Sequence, residues 1–407
     1  MKVDPSLLAC AATMIRRVLA SLVLVLVVLC AGIALGGHPD RLPAFLRNPL
    51  VGDKDTRVIG EALDQIQATY YRPIPKKDLA NDSIQGMVSA LKDRFSNYFS
   101  PQEYARFKEQ QNAQFAGIGV QVAKAPDGLR VVEVYDDSPA SRAKVHPGDV
   151  LTEVDGTPLK GRTSDQSVAL IQGKIGSDVK LAVRHGGQTR RVTLTRATIS
   201  VPVVASKDKT VAGKKLGVIK LAQFSSGAHA EVAAGVRKEL KAGAKGIVFD
   251  LRGNPGGLVT EAQLVASVFL PDGKIVTTRG RSVPSRTLSA TGDPVAPKTP
   301  LVVLVDRNSA SAAEIVSGAL QDRKRALLVG TRTFGKGVFQ EVIDLSNGGA
   351  LDITAGQYFL PSGRNLGGKG TSTGSGLTPN VAAADDPKTL KVDEALDKAL
   401  AVLAQRS

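Results

Sequence analysis

The spacing of apolar positions changes character several times along the chain. From Val18 to Leu35 there are 18 residues without a charge, directly after Arg16-Arg17. That run is close to the ~20 residues needed to span a bilayer and longer than the roughly 7–15 of a signal-peptide core. It predicts an N-terminal signal anchor over 1–37, with the bulk of the chain on the extracytoplasmic side of the cell envelope. The small residues of Ala34-Leu35-Gly36 fit a cleavage site as the alternative, which would make the protein secreted instead. Residues 38–112 then read as helical. Ile59, Leu63 and Ile66 fall on one face between Asp55 and Tyr71, and a second pattern runs from Leu79 through Leu91. Ser100-Pro101-Gln102-Glu103 joins an N-cap, a Pro at the first helical position and a Glu three residues on, and starts a helix through Lys108. No catalytic chemistry is expected in this region.

Short strands and glycine turns replace the helical spacing over 113–200. Gly117 to Val120, Leu129 to Tyr135, Asp149 to Val154 and Val179 to Val183 are the strand candidates, and Ser138-Pro139-Ala140 opens a short helix. Over 201–385 buried apolar runs alternate with helices. Leu216 to Leu221, Gly246 to Leu251, Leu301 to Val305, Ala326 to Val329 and Val338 to Leu345 read as strands, while Val232, Val236 and Leu240 recur at helical spacing. This alternation predicts an α/β or mixed α+β core. The segment 386–407 closes the chain with an amphipathic helix from Lys388 to Ala404.

Composition narrows the chemistry. Of 407 residues, 43% are hydrophobic and 22% charged, which excludes wholesale disorder and a polytopic membrane protein. The formal net charge of +15 is spread without a long basic run or interleaved aromatics, so nucleic acid is not an expected partner. Cys10 and Cys30 both lie in the N-terminal segment, leaving the remainder without a thiolate metal site or a cysteine nucleophile. His38, His146, His185 and His229 sit in no motif with an acid, and H-E-x-x-H is absent. A hydrolase built on this chain needs a general base other than histidine.

Three segments carry candidate chemistry. Asp250-Leu251-Arg252-Gly253-Asn254-Pro255-Gly256-Gly257 leads a buried strand through a glycine loop toward a helix, a layout that exposes backbone N–H groups to a developing negative charge. Asn308-Ser309-Ala310-Ser311-Ala312-Ala313-Glu314 places a serine at a strand-to-helix turn, although Ser311 and Glu314 are also spaced as a capping box. Gly330 to Gly337 approaches the phosphate-loop pattern, but Gly337 stands where a hydroxyl is needed and Val338 to Leu345 reads as a strand. A nucleotide site is therefore rejected. What remains is Lys336 between two glycines, with apolar Phe334 and Val338 beside it and Gln340 four residues on.

Two resemblances organise these readings. In 113–200 the elements S-P-A, P-G-D-V and V-D-G come in the order of a PDZ domain. Such a module adds a peptide as a strand to a sheet edge and holds its terminal carboxylate on loop amides. The matching loop is Phe115 to Gly119, with Gly117 and Gly119 turning the backbone and Phe115 and Ile118 lining the neighbouring pocket. Across about 50–380, D-L-R-x-N-P-G-G, S-A-S-A-x-E-I and T-F-G-K-G-x-x-Q resemble the carboxyl-terminal processing (tail-specific) serine peptidases. That resemblance implies a multidomain α+β fold: a crotonase/ClpP-like ββα protease core, an inserted PDZ domain and a helical N-terminal region. It implies Ser311 as nucleophile, Lys336 as general base and Gln340 as its orienting partner. The oxyanion hole would come from the amides of Ala312 and of Gly256 or Gly257. A neutral lysine can act as base if desolvation lowers its pKa.

No cofactor and no metal is implied. The expected partners are protein substrates bound through unstructured C-terminal tails, and the membrane through the N-terminal segment; a homodimer or higher oligomer stays open. The alternative is a catalytically inactive PDZ scaffold of the envelope. A histidine-dependent PDZ protease lacks its triad here. Two departures from the family pattern stand out: Gln172-Gly173, where relatives often carry Arg before the glycine, and Gly376-Leu377-Thr378-Pro379-Asn380 in place of G-I-x-P-D.

Overall fold

The computed structural model describes residues 21–25, 27–28, 54–386, 389 and 392–407. The chain divides into two compact units, Met1–Gly86 and Met87–Ser407. In the first, α1 (Lys54–Thr69) shows Val58, Ile59 and Ile66 on its exposed surface. The helix α2 (Lys76–Ser89) crosses the boundary. The expected membrane segment Val18–Leu35 lies largely outside the described residues, with only 21–25 and 27–28 described, as helix. Among the described residues no helix is long and apolar enough to cross a membrane, so the expected anchor gains no support from them.

The second unit opens with β1 (Asn97–Phe99) and α3 (Pro101–Gln111). The Ser100 start behaves as the sequence suggests: Ser100 donates to Glu103 Oε2 from its amide (2.9 Å) and its hydroxyl (2.7 Å). The strand β1 is a departure from the all-helical expectation for 38–112.

A small β module follows. It comprises β2 (Gln114–Gly117), β3 (Val120–Ala125), β4 (Gly128–Val134), α4 (Pro139–Arg142), β5 (Val150–Val154), β6 (Thr157–Pro158), α5 (Ser164–Ile171), β7 (Asp178–His185), β8 (Gln188–Thr195) and β9 (Ala197–Ser200). Its main sheet runs β3-β4-β5-β7-β8 with β6 on β5, so β3 is an edge strand. The short pair β2–β9 joins the two ends of the module, with Phe115 opposite Ile199. Leu129, Leu151, Val154, Leu181 and Val183 form its core.

The largest core is built on β10 (Val204–Val211), β11 (Lys214–Leu221), β12 (Ile247–Asp250), β15 (Leu301–Val305), β16 (Leu327–Gly330) and β19 (Val381–Ala382), in that spatial order. From β11 onward neighbours are parallel. Between these strands come α6 (Ala228–Lys241), α7 (Val259–Ser267), β13 (Lys274–Gly280), β14 (Arg286–Ser289) and α8 (Ala312–Asp322). Parallel strands buried on both faces read as unbroken apolar runs, and Leu301–Val305 is one. Alternate residues serve opposite layers. Ile247, Phe249 and Val303 pack with Val236, Val265 and Val316 of the three helices, whereas Val248, Val302 and Leu304 pack with Leu396, Leu400 and Leu403 of α9 (Glu394–Arg406). The closing helix thus begins several residues later than expected, at the N-cap Asp393, whose carboxylate accepts from the Leu396 amide at 2.9 Å.

A second sheet, which the sequence pattern missed except for its Val338 strand, runs β1-β18-β13-β14. Here β17 (Val338–Asp344) pairs with the long β18 (Ala350–Phe359). This sheet carries Gln340 and brings β1, from far upstream, against β18 with Asn97 opposite Asp352.

Candidate active site

Three neighbouring parallel strands end at the same edge of the core sheet, and the loop after each carries one of the three candidate segments. Such loops, outside the carboxyl ends of parallel strands, are where open α/β sheets place their sites. The loop after β12 spans 251–258, the loop after β15 spans 306–311 and the loop after β16 spans 331–337.

Ser311 is the N-cap of α8 and holds φ 55° and ψ −115°. A non-glycine residue at positive φ is strained, and such strain concentrates at functional turns. The surroundings hold it there. The Ser309 hydroxyl, fully buried, donates to Leu251 O at 2.8 Å, the Ala310 amide donates to Asn254 O at 3.0 Å, and the Ser311 amide donates to Glu314 Oε2 at 3.0 Å.

Glu314 is wholly buried, and its carboxylate accepts from four donors. These are the Ser311 amide, the Thr333 hydroxyl at 2.6 Å, the Gly335 amide at 2.7 Å and the Lys336 amide at 3.0 Å. Burial pushes its carboxyl up from the ordinary value, against the pull of those hydrogen bonds. The capping-box spacing seen in the sequence therefore does more than cap a helix: it ties the serine loop to the lysine loop.

The Lys336 amine donates to Gln340 Oε1 at 2.7 Å, and Gln340 Nε2 donates to Thr354 Oγ1 at 3.1 Å. Among the described residues it shares no hydrogen bond with the Ser311 hydroxyl. Burial holds the Lys336 pKa below its ordinary value, while Asp352, Asp93 and Glu314 pull in the opposite direction. The ring over the amine belongs to Phe95, 4.9 Å from nitrogen to centroid, whereas Phe334 stands 5.6 Å from the guanidinium of Arg94. Phe95, upstream of the β module, thus lies against the Lys336 amine. Gly337 serves packing and not phosphate binding, since a Cβ there would fall 2.2 Å from Asn365 Oδ1.

The glycine loop crosses directly over the serine. A Cβ on Gly256, at φ 103°, would lie 2.8 Å from Ser311 Cβ and 3.0 Å from the Ala312 nitrogen. The amide of Gly256 is engaged by Asn254 Oδ1 at 2.8 Å. Among the described residues, the amides of Gly257 and Ala312 have no acceptor. Of the two glycines left open by the sequence, Gly257 has the available N–H. Arg252 anchors this loop from behind through paired hydrogen bonds to Asp250 and to Asp393. Burial works against its charge, but those carboxylates raise its pKa above the ordinary value.

In the β module Gly119 sits at φ 82° and its carbonyl accepts from the Tyr135 amide at 3.0 Å. The amides of Ile118 and Gly119 have no acceptor among the described residues. Phe115 is half-buried and lies edge-on to Tyr135. Ile118 is buried in the module core. Gln172 lines a cavity of about 530 Å³ between this module and the core, together with Phe115, Arg106 and Gln223. His185 and His229 do have acidic partners in space, Asp149 at 2.5 Å and Glu261 at 2.9 Å, but neither pair includes Ser311.

The fold and site define a class: a parallel-sheet core whose strand-end loops carry a serine on a strained turn and a lysine, both tied to one buried glutamate, preceded by a small β module. Residues 215–383 match Peptidase family S41 and residues 116–195 match the PDZ domain. It is 33% identical over 319 residues to a probable CtpA-like serine protease of Staphylococcus haemolyticus, covering 78% of this chain and 64% of that protein. It is 35% identical over 325 residues to one of Staphylococcus aureus, covering 79% and 63%. The chain thus spans a little under two thirds of the length of these relatives. Among solved structures it is similar to the photosystem II D1 C-terminal processing protease, with 29% identity, a TM-score of 0.50, and coverage of 86% of this chain and 97% of that one.

Proposed function

We propose that this protein is a serine endopeptidase that cleaves proteins near their C-termini. The observation that carries the reading is the carboxylate of Glu314, which binds the amides of Ser311 and Lys336 and so holds both loops in one frame. Ser311 Oγ attacks the scissile carbonyl. The neutral Lys336 amine, turning from Gln340 toward Ser311, takes the hydroxyl proton and then passes it to the leaving amine. The amides of Ala312 and Gly257 donate to the tetrahedral oxyanion. Water repeats the sequence on the acyl-enzyme, with Lys336 again as base.

The PDZ domain receives the substrate tail as a strand beside β3, with its carboxylate on the amides of Ile118 and Gly119. We read the core as crotonase/ClpP-like and the N-terminal apolar run as an anchor that keeps the protease on the extracytoplasmic side of the envelope. Partially buried Ser311, Lys336 and Gln340 in one hydrogen-bonded frame favour the enzyme over an inactive scaffold.

The test is turnover of an unstructured peptide by Ser311→Ala, Lys336→Ala and the double variant. Each single change should reduce kcat to background, and the double should be no worse than either, because these residues act as a unit. Near wild-type turnover in Lys336→Ala would sink the Ser-Lys assignment.

A further inference from the structure

We propose that Phe95 is a positioning residue for Lys336, its ring holding the amine against Gln340 and keeping water from it. The inference rests on the reading of Lys336 as the general base.

The segment that carries Phe95 is fixed to the site from both sides. Asp93 accepts from the Phe95 amide at 3.0 Å and from the Ser96 hydroxyl at 2.6 Å. Ser96 Oγ in turn accepts from the Thr354 amide at 3.0 Å, and Thr354 Oγ1 accepts from Gln340, the partner of the Lys336 amine. Arg94 lies 5.4 Å from the Phe95 ring and 5.6 Å from that of Phe334, two residues before Lys336. Cation and ring thus alternate from Lys336 through Phe95 and Arg94 to Phe334. The ring position is set by β1–β18 pairing and this polar chain, and not by the lysine alone.

A ring over an ammonium has two opposed effects. Its bulk strips water and favours the neutral amine, while its π face attracts the charged form. Asp93 on the same segment, Asp352 on β18 and Glu314 on α8 also favour the charged form, while Arg94 is a cation beside the ring. The buried Tyr358 hydroxyl donates to the Lys336 carbonyl and makes no hydrogen bond with the amine. Exchanging the ring for an alkyl group of similar bulk removes only the attraction, whereas truncating it readmits water.

Two variants separate these effects by sign. In Phe95→Leu the acid limb of kcat/KM should move to lower pH by about half to one unit, with the plateau within a few-fold of wild type. In Phe95→Ala the limb should move to higher pH and the rate at neutral pH should fall about tenfold. The same variants, labelled with ε-¹³C-lysine, allow the Lys336 amine to be titrated directly by NMR, its signal assigned by its loss in Lys336→Met. Circular dichroism melts confirm that both are folded. An amine midpoint that stays at the wild-type value in both variants overturns the proposal. A midpoint that moves as described while the activity profile stays fixed supports the role of Phe95 and overturns Lys336 as the base.

Discussion

The amides of Ser311 and Lys336, 25 positions apart in the chain, both donate to Oε2 of Glu314, each at 3.0 Å. One buried carboxylate oxygen therefore holds the proposed nucleophile and base in register. Charge-assisted hydrogen bonds of this kind contribute about 1.5–3 kcal/mol each, and a buried donor left without its acceptor costs a similar amount. Glu314→Gln keeps the shape but puts an NH₂ group among four donors. It should lower stability by about 3 kcal/mol and reduce kcat at least a hundredfold. Urea denaturation and steady-state kinetics on one preparation check both effects. A stable, fully active variant would show that the frame is not needed.

The depressed pKa of Lys336 has a sign that can be followed in stability as well as in rate. Burial disfavours the charged amine in the folded state and lowers its pKa from the 10.5 at which it titrates in the unfolded chain. Between the lowered folded value and 10.5, unfolding takes up a proton, so stability rises with pH across that window. Lys336→Met removes this cost. The variant should be more stable than wild type at neutral pH, and the gap should close as pH passes 10.5. In the wild type kcat/KM should rise through the same lowered value and should not respond to His185→Gln or His229→Gln.

Gly256 packs against the serine turn from a neighbouring loop. Its positive φ disfavours any side chain, and a Cβ would press on Ser311 Cβ, Ala310 O and the Ala312 amide, all within 3.0 Å. Gly256→Ala should displace the Ala312 N–H from the oxyanion. Loss of one such donor costs about 10²–10³ in kcat with little change in KM. An equal loss in substrate affinity, measured with Ser311→Ala as background, would place the damage elsewhere.

How much of this was legible in the sequence follows from where each signal resides. The loops carrying Gly256, Ser311 and Lys336 announce themselves, because small residues directly follow short apolar runs and the parallel strands bring those ends together. Phe95 and Asp93 gave no such sign. They belong to a stretch with helical spacing, and a three-residue strand pairing with β18, some 250 positions downstream, has no local pattern to betray it. Glu314 read equally well as a cap, since only the return of residues 333–336 to its carboxylate shows its second role.

Arg252 links the glycine loop to the closing helix. Its side chain is 17% exposed and that of Asp250 only 4%, so Arg252→Gln leaves a buried carboxylate without its cation and should cost about 3–5 kcal/mol. The Asp393 arm is more open, at 41%, and should fade with salt. For Asp393, burial opposes its charge, but Arg252 and the Leu396 amide hold its pKa below the ordinary 3.8. That contribution is present above 3.8 and is lost as pH falls through the folded value. Wild type and Arg252→Gln should therefore converge in stability in strong acid, which denaturation curves from pH 7 to pH 2 would read.

Tail recognition can be tested apart from chemistry. A free carboxylate on the amides of Ile118 and Gly119 is a charge-assisted contact that an amidated tail cannot make, and β3 has a free edge for the preceding residues. A substrate with an apolar free-acid tail should have a KM about ten- to a hundredfold lower than its amide, with kcat changed little. Phe115→Ala should erase part of that difference, because Phe115 is half-buried at the loop and its loss does not empty the core. Ile118→Ala should behave differently. Ile118 is 1% exposed within the PDZ core, so its truncation should cost about 2–5 kcal/mol and act through unfolding of the module. Melting curves distinguish the two variants where kinetics alone would not. If free-acid and amidated substrates are cleaved with the same KM, the loop does not read the carboxylate, and the PDZ domain then holds its substrate by the strand contact alone.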